Sequence, residues 1–219
     1  VLRQSEHFED YRVAARKLDR LGPLYPCFRT RAELTAALAD RPADVDPDGS
    51  PFISRNRGGL VEEEIARRRA SGQPYALRLD MARALAVLHD QAGGGELSFT
   101  ELDAQGGKPQ RVPARPARWG DPIIVRKDVS ASYHLAVVVD DARQGVTHIT
   151  RGLDLFAATD LQRLLQSLLG LPEPVYHHHR LITNESGRKL SKNARDTSLR
   201  SLRAAGVTPR DVRRLIGLA

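Results

Sequence analysis

The sequence is poor in cysteine, in aromatic residues and in long apolar runs, and these scarcities exclude several classes of protein. Cys27 is the one cysteine among 219 residues, so the chain can form neither an internal disulfide nor a zinc site with several thiolates. No apolar run approaches the roughly 20 residues of a membrane-spanning helix, and residues 1–7 are too polar for a signal peptide. We therefore expect a cytoplasmic protein without a membrane segment, large enough for one hydrophobic core.

Positive charge is concentrated near the end of the chain. Residues 181–219 contain nine Lys and Arg against three Asp and Glu, and so hold six of the seven net positive charges. This pattern fits either a solvated helical surface or a surface that neutralises nucleic-acid phosphates. The position beside Lys189 and Lys192 favours the second interpretation.

Hydrophobic patterning predicts alternating helices and strands. Short apolar runs at residues 123–125, 135–139 and 146–150 suit buried parallel strands. Thr159 is a suitable N-cap for a helix over residues 161–169. Two further helices are predicted at residues 196–205 and after Thr208-Pro209, and their apolar residues, Leu199, Leu202, Val212, Leu215 and Ile216, are expected to face the protein body.

Three motifs stand in a fixed order along the second half of the chain. They are SYHLAVVVDD at residues 132–141, GVTHITR at residues 145–151 and KLSKN at residues 189–193. Together they resemble the glutamyl family of class I aminoacyl-tRNA synthetases, and within it the short glutamyl-Q tRNA(Asp) synthetases. The resemblance extends over essentially the whole chain, although KLSKN has Asn193 where the family often has Ser or Gln.

The resemblance implies a site for ATP and a site for L-glutamate. Lys192 would contact ATP, bound with Mg²⁺, and Lys189 would support it, because ammonium groups on a mobile loop stabilise charge on the leaving pyrophosphate. Tyr133 and Arg151, 18 residues apart, would contact the glutamate substrate. Their chemistry agrees, since a guanidinium pairs with a carboxylate through two hydrogen bonds and a tyrosine adds a directional hydroxyl.

The other residues that could bind a metal or act as acids and bases are expected to have structural roles. The adjacent carboxylates Asp140 and Asp141 point in different directions, and consecutive histidines at 177–179 alternate between the faces of a strand, so they cannot all bind one ion. Many relatives bind zinc through a Cys-x-Cys pair and later ligands. This chain has Cys27 but Arg29, with no cysteine near residues 52–57, so zinc is not expected.

The resemblance also implies an α/β fold: a class I synthetase Rossmann-like catalytic domain with a mixed α+β insertion and a helical C-terminal end. We assign residues 1–22 to the remnant of the first Rossmann half, 23–125 to the insertion, 126–183 to the second half, and 184–219 to the lysine loop and the basic helices. The HIGH signature of the first half is missing, so the chain maps to a protein that lacks its beginning. Alone, it would be expected not to form the adenylate.

The function expected from the resemblance is activation of glutamate by ATP and its transfer to queuosine at the wobble position of tRNA(Asp), by a monomer. The 27 residues after Lys192 are too few for the anticodon-binding domain of an ordinary glutamyl-tRNA synthetase. Two alternatives stay open: a fragment of an enzyme that charges tRNA(Glu), and a non-catalytic tRNA-binding paralogue.

Overall fold

The computed structural model describes residues 2–30, 32, 33, 36, 45–49, 61–103, 107–184, 186–190 and 197–218. Its α-helices are α1 Phe8–Leu21, α2 Glu62–Ala70, α3 Met81–Ala92, α4 Tyr133–Arg143, α5 Ala158–Leu169, α6 Leu199–Ala204 and α7 Pro209–Leu215. Its strands are β1 Leu24–Cys27, β2 Ala76–Leu79, β3 Ser98–Leu102, β4 Pro109–Pro113, β5 Ile123–Val125, β6 His148–Gly152 and β7 Val175–His179. Short 3-10 turns lie at Gln4–Glu6, Pro116–Trp119 and Leu153–Leu155.

The strands form two sheets. The smaller has the order β1-β2-β5 and is antiparallel. The larger has the order β4-β3-β7-β6, in which β3 and β6 both run parallel to β7 and β4 runs antiparallel to β3. The carboxyl ends of β3, β6 and β7 therefore meet at one edge, where open α/β sheets bind ligands.

The hydrophobic core lies where helices α1, α3, α4 and α5 pack against one another. Helix α5 is central, because Leu161, Leu164 and Leu165 are fully buried in it. Its last residues are followed by Gly170 in the left-handed conformation (φ 63°), which a glycine adopts without strain and which ends the helix. The arrangement confirms the predicted mixture of helices and parallel strands, whereas the domain boundaries stay a prediction.

Two of the three predicted parallel strands are wrong. Residues 135–139 lie in helix α4, in which Leu135, Ala136 and Val138 are all buried. A continuous apolar run cannot by itself distinguish a buried strand from a helix that is buried on several sides. Residues 123–125 do form strand β5, but it pairs antiparallel with β2. The third run is confirmed in part: residues 148–150 lie in β6, which is parallel to β7, but the strand extends from His148 to Gly152 and is half-buried to exposed, not buried.

The assignments for Thr159 and for two leucines also need correction. Helix α5 begins one residue before Thr159, so Thr159 is not its N-cap. Thr159 is fully buried, and its hydroxyl accepts a hydrogen bond from Arg151. Leu199 and Leu215 are 70% and 71% exposed, so they do not face the body. Short helices such as α6 and α7 are held mainly by their caps, Ser198 and Thr208, each in a capping box.

The start of the chain is tied to helix α4 by a buried carboxylate. Asp140 accepts hydrogen bonds from the Tyr11 hydroxyl at 2.8 Å and from the Gln4 amide at 2.7 Å. This agrees with a structural role for Asp140. In the described ranges, no helix is both long and apolar enough to cross a bilayer.

Candidate active site

Arg151 lies at the carboxyl end of β6, and its guanidinium is held by side chains from two neighbouring elements. Its Nε donates to Nε2 of His178 on β7 at 3.0 Å. Its Nη1 donates to Gln162 Oε1 at 2.7 Å and its Nη2 to Thr159 Oγ1 at 2.6 Å, both on α5. The guanidinium carbon also lies over the Tyr176 ring, 5.3 Å from its centroid, in a cation–π contact. These contacts fix the guanidinium plane without any ligand.

The groups that hold Arg151 are more deeply buried than the arginine itself. Thr159, Gln162 and His178 are 0%, 1% and 7% exposed, whereas Arg151 is half-buried. Burial lowers the pKa of Arg151, and contact with Tyr133 opposes this shift. Because arginine stays protonated in proteins, the site presents a cation in poorly solvated surroundings, where an anion is attracted more strongly than at an open surface.

Tyr133 is the first residue of α4, and its side chain is 52% exposed beside Arg151. Ser132 caps this helix by accepting a hydrogen bond from the Leu135 amide at 3.4 Å, and this places the tyrosine at the helix start. The Tyr133 hydroxyl contacts the Arg151 side chain, and this contact partly offsets the lowering of the Arg151 pKa by burial. The fold therefore brings Tyr133 and Arg151 together, while their contact with glutamate stays a prediction.

Asp141 follows Asp140 on helix α4 but has different surroundings. It is half-buried, and its pKa is raised by burial and by the charge of Asp140, while Arg151 opposes the shift. Asp141 therefore adds negative potential near Arg151, whereas Asp140 fastens the start of the chain.

Lys189 is held close to the end of β6 by an ion pair with Asp154. The Lys189 side chain is the main cause that lowers the pKa of Asp154. An antiparallel bridge also joins Lys189 to Thr183. Lys192, the predicted ATP-contacting residue, lies outside the described residues.

Asp154→Asn is expected to release Lys189 and to speed tryptic cleavage after it by about two- to fivefold. An amide cannot form the ion pair, and an exposed pair of this kind is worth roughly 1 kcal/mol or less, a factor of about five at most. Time-resolved proteolysis with mass analysis of the fragments measures the rate. Asp128→Asn, which removes an exposed carboxylate paired with Arg126, is the matched control and is expected to leave it unchanged. Equal cleavage rates in Asp154→Asn and the unaltered protein would contradict a restraining role for the pair.

A groove of about 360 Å³ lies between α1 and the loop that precedes α4, away from Arg151. Its basic side chains already have partners in the protein. Arg12 and Arg16 pair with Glu9, and the Lys127 ammonium donates to the Phe28 carbonyl. This groove is therefore a weaker candidate for the active site than the side chains around Arg151.

The residues that hold Arg151 were not identified from the sequence. The sequence pattern predicts a helix cap at Thr159 and only a strand position for His178. The strand prediction did contain a usable signal, because alternation puts Tyr176 and His178 on one face and His177 on the other. Gln162 offered no signal, since a glutamine in a leucine-rich helix is usually solvated.

Comparison with known proteins agrees with this geometry. Residues 1–218 match the family described as tRNA synthetases class I (E and Q), catalytic domain. The chain belongs to this family. The parallel strands that carry Arg151 and His178 therefore belong to a class I synthetase catalytic domain, whereas the roles of Tyr133, Arg151 and Lys189 stay a prediction. The family uses ATP.

Several relatives are similar over nearly the whole chain. A glutamyl-Q tRNA(Asp) synthetase of Rhodobacter capsulatus is 39% identical over all of this chain and 75% of its own length. One from Symbiobacterium thermophilum is 39% identical over 95% of this chain and 59% of its own length. Glutamate–tRNA ligase 1 of a Chelativorans species is 36% identical, covering 95% and 44% respectively. The chain thus spans three quarters of one relative and about three fifths or less of the others.

Solved structures support the same fold. The glutamate-tRNA synthetase of Elizabethkingia anophelis superposes with a TM-score of 0.62 at 25% identity, over 89% of this chain and 37% of that one. No group of three or more potential metal ligands from His, Cys, Asp and Glu occurs in the part of the chain that the structure describes. Residues 52–57, which bear on the zinc prediction, lie outside that part, so the absence of zinc stays a prediction.

Proposed function

We propose that this protein activates L-glutamate with ATP and transfers the glutamyl group to queuosine at the wobble position of tRNA(Asp), as a cytoplasmic monomer. The observation that carries the proposal is the fixed Arg151 guanidinium beside the Tyr133 hydroxyl, at the carboxyl edge of the parallel strands. The names of the glutamyl-Q tRNA(Asp) synthetases at 39% identity support the choice of substrate.

Arg151 and Tyr133 are proposed to bind glutamate. Three of the five N–H groups of the guanidinium are bonded to His178, Gln162 and Thr159. The two that remain sit on different terminal nitrogens, and the Arg151 side chain also has a hydrogen-bond contact with the Tyr133 hydroxyl. A substrate carboxylate would therefore bind to the guanidinium and to this hydroxyl together. Tyr133 is about half exposed, and its hydroxyl adds one directional hydrogen bond.

Lys189 and Lys192 are proposed to act on ATP. During activation a glutamate carboxylate oxygen bonds to the α-phosphorus and the pyrophosphate leaves, so negative charge grows on the leaving group. Ammonium groups stabilise that charge, and Mg²⁺ would enter with the ATP phosphates, since Mg²⁺ commonly binds through substrate phosphates. The ion pair of Lys189 with Asp154 supports this, because it keeps the lysine near the sheet edge that carries Arg151.

The C-terminal helices are proposed to contact the tRNA backbone. The arginines that project from α6 and α7 are all exposed: Arg200, Arg203, Arg210, Arg213 and Arg214. Phosphate contacts of this kind position an RNA, while the chemistry at the modified base decides which RNA is a substrate.

Transfer of labelled glutamate to three RNAs tests the proposal. The full-length gene product, with its N-terminus verified by intact mass, is incubated with queuosine-containing tRNA(Asp), unmodified tRNA(Asp) and tRNA(Glu). Labelling of the queuosine-containing tRNA(Asp) alone is expected. Labelling of tRNA(Glu) would instead support an enzyme like the Chelativorans ligase, and salt-sensitive tRNA binding without any labelling would support a non-catalytic paralogue.

A further inference from the structure

The hydrogen bond from Arg151 to His178 places a condition on the protonation of the histidine. The arginine Nε always carries a proton, so Nε2 of His178, 3.0 Å away, must be unprotonated to accept it. The Thr159 hydroxyl also lies 3.2 Å from the same Nε2 and can donate to it. If Nε2 carried a proton, its N–H would face the N–H of Arg151 Nε, and neither donor could accept from the other.

Glu101 on β3 imposes the matching condition on the other ring nitrogen. One carboxylate oxygen accepts from the His178 backbone amide at 2.8 Å, and the second lies 2.8 Å from His178 Nδ1. A carboxylate can only accept, so Nδ1 carries the proton and Nε2 does not. The side chains are 1% and 13% exposed, so water does not readily replace either contact.

We propose that Glu101 and His178 are positioning residues that hold Arg151 ready for the substrate carboxylate, by keeping His178 as the neutral tautomer protonated at Nδ1. Arg151 then keeps its Nε anchored, and its two terminal nitrogens stay in a fixed plane beside the Tyr133 hydroxyl, where a carboxylate can bind. The inference rests on the proposed function, since it assumes that Arg151 binds glutamate.

A consequence is that acid should weaken glutamate binding. The charged and titratable groups around His178 are Glu101 on β3, Arg151 on β6, and Tyr176 and His177 on its own strand; Phe156 and Thr159 complete the surroundings. Burial lowers the pKa of His178, Glu101 opposes the shift, and Arg151 and His177 add to it. The histidine is therefore neutral at pH 7, and the arrangement is lost as the pH falls through the lowered pKa.

Two substitutions test the pair in the full-length gene product. Glu101→Gln replaces an acceptor oxygen by an NH₂ group, which cannot accept from both the amide and Nδ1–H of His178. We expect the KM for glutamate in ATP–pyrophosphate exchange to rise about tenfold, with the KM for ATP nearly unchanged. Tenfold corresponds to about 1.4 kcal/mol, near the upper end of the net contribution of one ordinary hydrogen bond. His178→Gln is expected to show a similar rise and, because glutamine does not titrate, to lose the acid limb of kcat/KM for glutamate.

His177→Gln is the matched control, since it makes the same change on the opposite face of β7. It is expected to retain the acid limb and the KM. A purely structural role for His178 would lower the melting temperature in His178→Gln and leave the acid limb in place, which would overturn the proposal. So would an unchanged glutamate KM in a folded Glu101→Gln protein.

The tautomer can be measured without any substitution. In nitrogen-15 spectra of the histidine rings, His178 is expected to carry its proton on Nδ1 at pH 7.5, and a proton on Nε2 would overturn the proposal. Arg151→Ala separates this inference from the proposed function. If Arg151→Ala leaves the KM for glutamate unchanged, the proposed function fails; if it raises the KM while Glu101→Gln and His178→Gln do not, only the positioning role fails.

Discussion

Arg151→Lys is expected to lower kcat/KM for glutamate by roughly 10²–10³-fold in ATP–pyrophosphate exchange. Lysine keeps the charge but cannot donate in one plane to His178, Gln162 and Thr159 while also presenting two N–H groups to a carboxylate. The loss of one or two charge-assisted hydrogen bonds, each worth roughly 1.5–3 kcal/mol, accounts for that range. The exchange rate measured against glutamate concentration gives the value.

Arg163→Lys is the matched control for this substitution. Arg163 lies on helix α5, one position after Gln162. Its guanidinium donates to the Ser98 carbonyl and pairs with Glu173. The change is expected to lower the melting temperature by a few degrees and to leave the glutamate KM unchanged. Equal losses of kcat/KM in the two variants would mean that Arg151 acts through stability alone.

The part of the fold that the sequence predicts well is the part with strong local signals. Asp80 accepts from the Arg83 amide at 3.1 Å and starts α3, and α1 ends at Gly22, which has a φ of 87°. Both are helix boundaries that a single residue and its immediate neighbours determine. The strand at residues 148–152 is predictable in part, because the overlapping run at residues 146–150 is rich in the β-branched residues Val, Thr and Ile.

Local signals fail where burial comes from several sides. Helix α4 contains Val137, Val138 and Val139, residues that favour strands when only their neighbours are considered. The Ser132 cap and the packing of this helix on α1 and α5 outweigh that preference. A run of valines therefore identified a buried element correctly and its secondary structure wrongly.

The candidate site divides in the same way. Tyr133, Arg151 and Lys189 could be identified because they stand in motifs whose order matches a known family. Glu101 could not, because its partner His178 is 77 residues away and the contact depends on the parallel pairing of β3 with β7. The direct ligands of a substrate leave a pattern along the chain, whereas the residues that hold those ligands in place are defined only by the fold.

Replacing Arg200, Arg203 and Arg213 by glutamine is expected to weaken tRNA binding and to make it less dependent on salt. Each phosphate contact that is lost reduces the slope of log K against log salt by roughly 0.7–0.9, so removing three reduces it by roughly 2. Fluorescence anisotropy with labelled tRNA(Asp) at several salt concentrations measures the slope. Glutamate-dependent pyrophosphate exchange, measured without tRNA, is expected to stay unchanged in this variant.

The matched control removes the same charge from helix α2, by replacing Arg67, Arg68 and Arg69 with glutamine. There Arg67 and Arg68 already pair with Glu64, and the Arg69 guanidinium carbon lies 5.4 Å from the centroid of a tyrosine ring. The arginines of α6 and α7 are exposed, and of these only Arg214 lies within 4.0 Å of a carboxylate in the described residues. Arginines that have no carboxylate neighbour among the described residues are the better candidates for contacts with phosphates. The salt slope should therefore change for the C-terminal variant and hardly at all for the α2 variant, and equal changes would indicate that net charge alone drives tRNA binding.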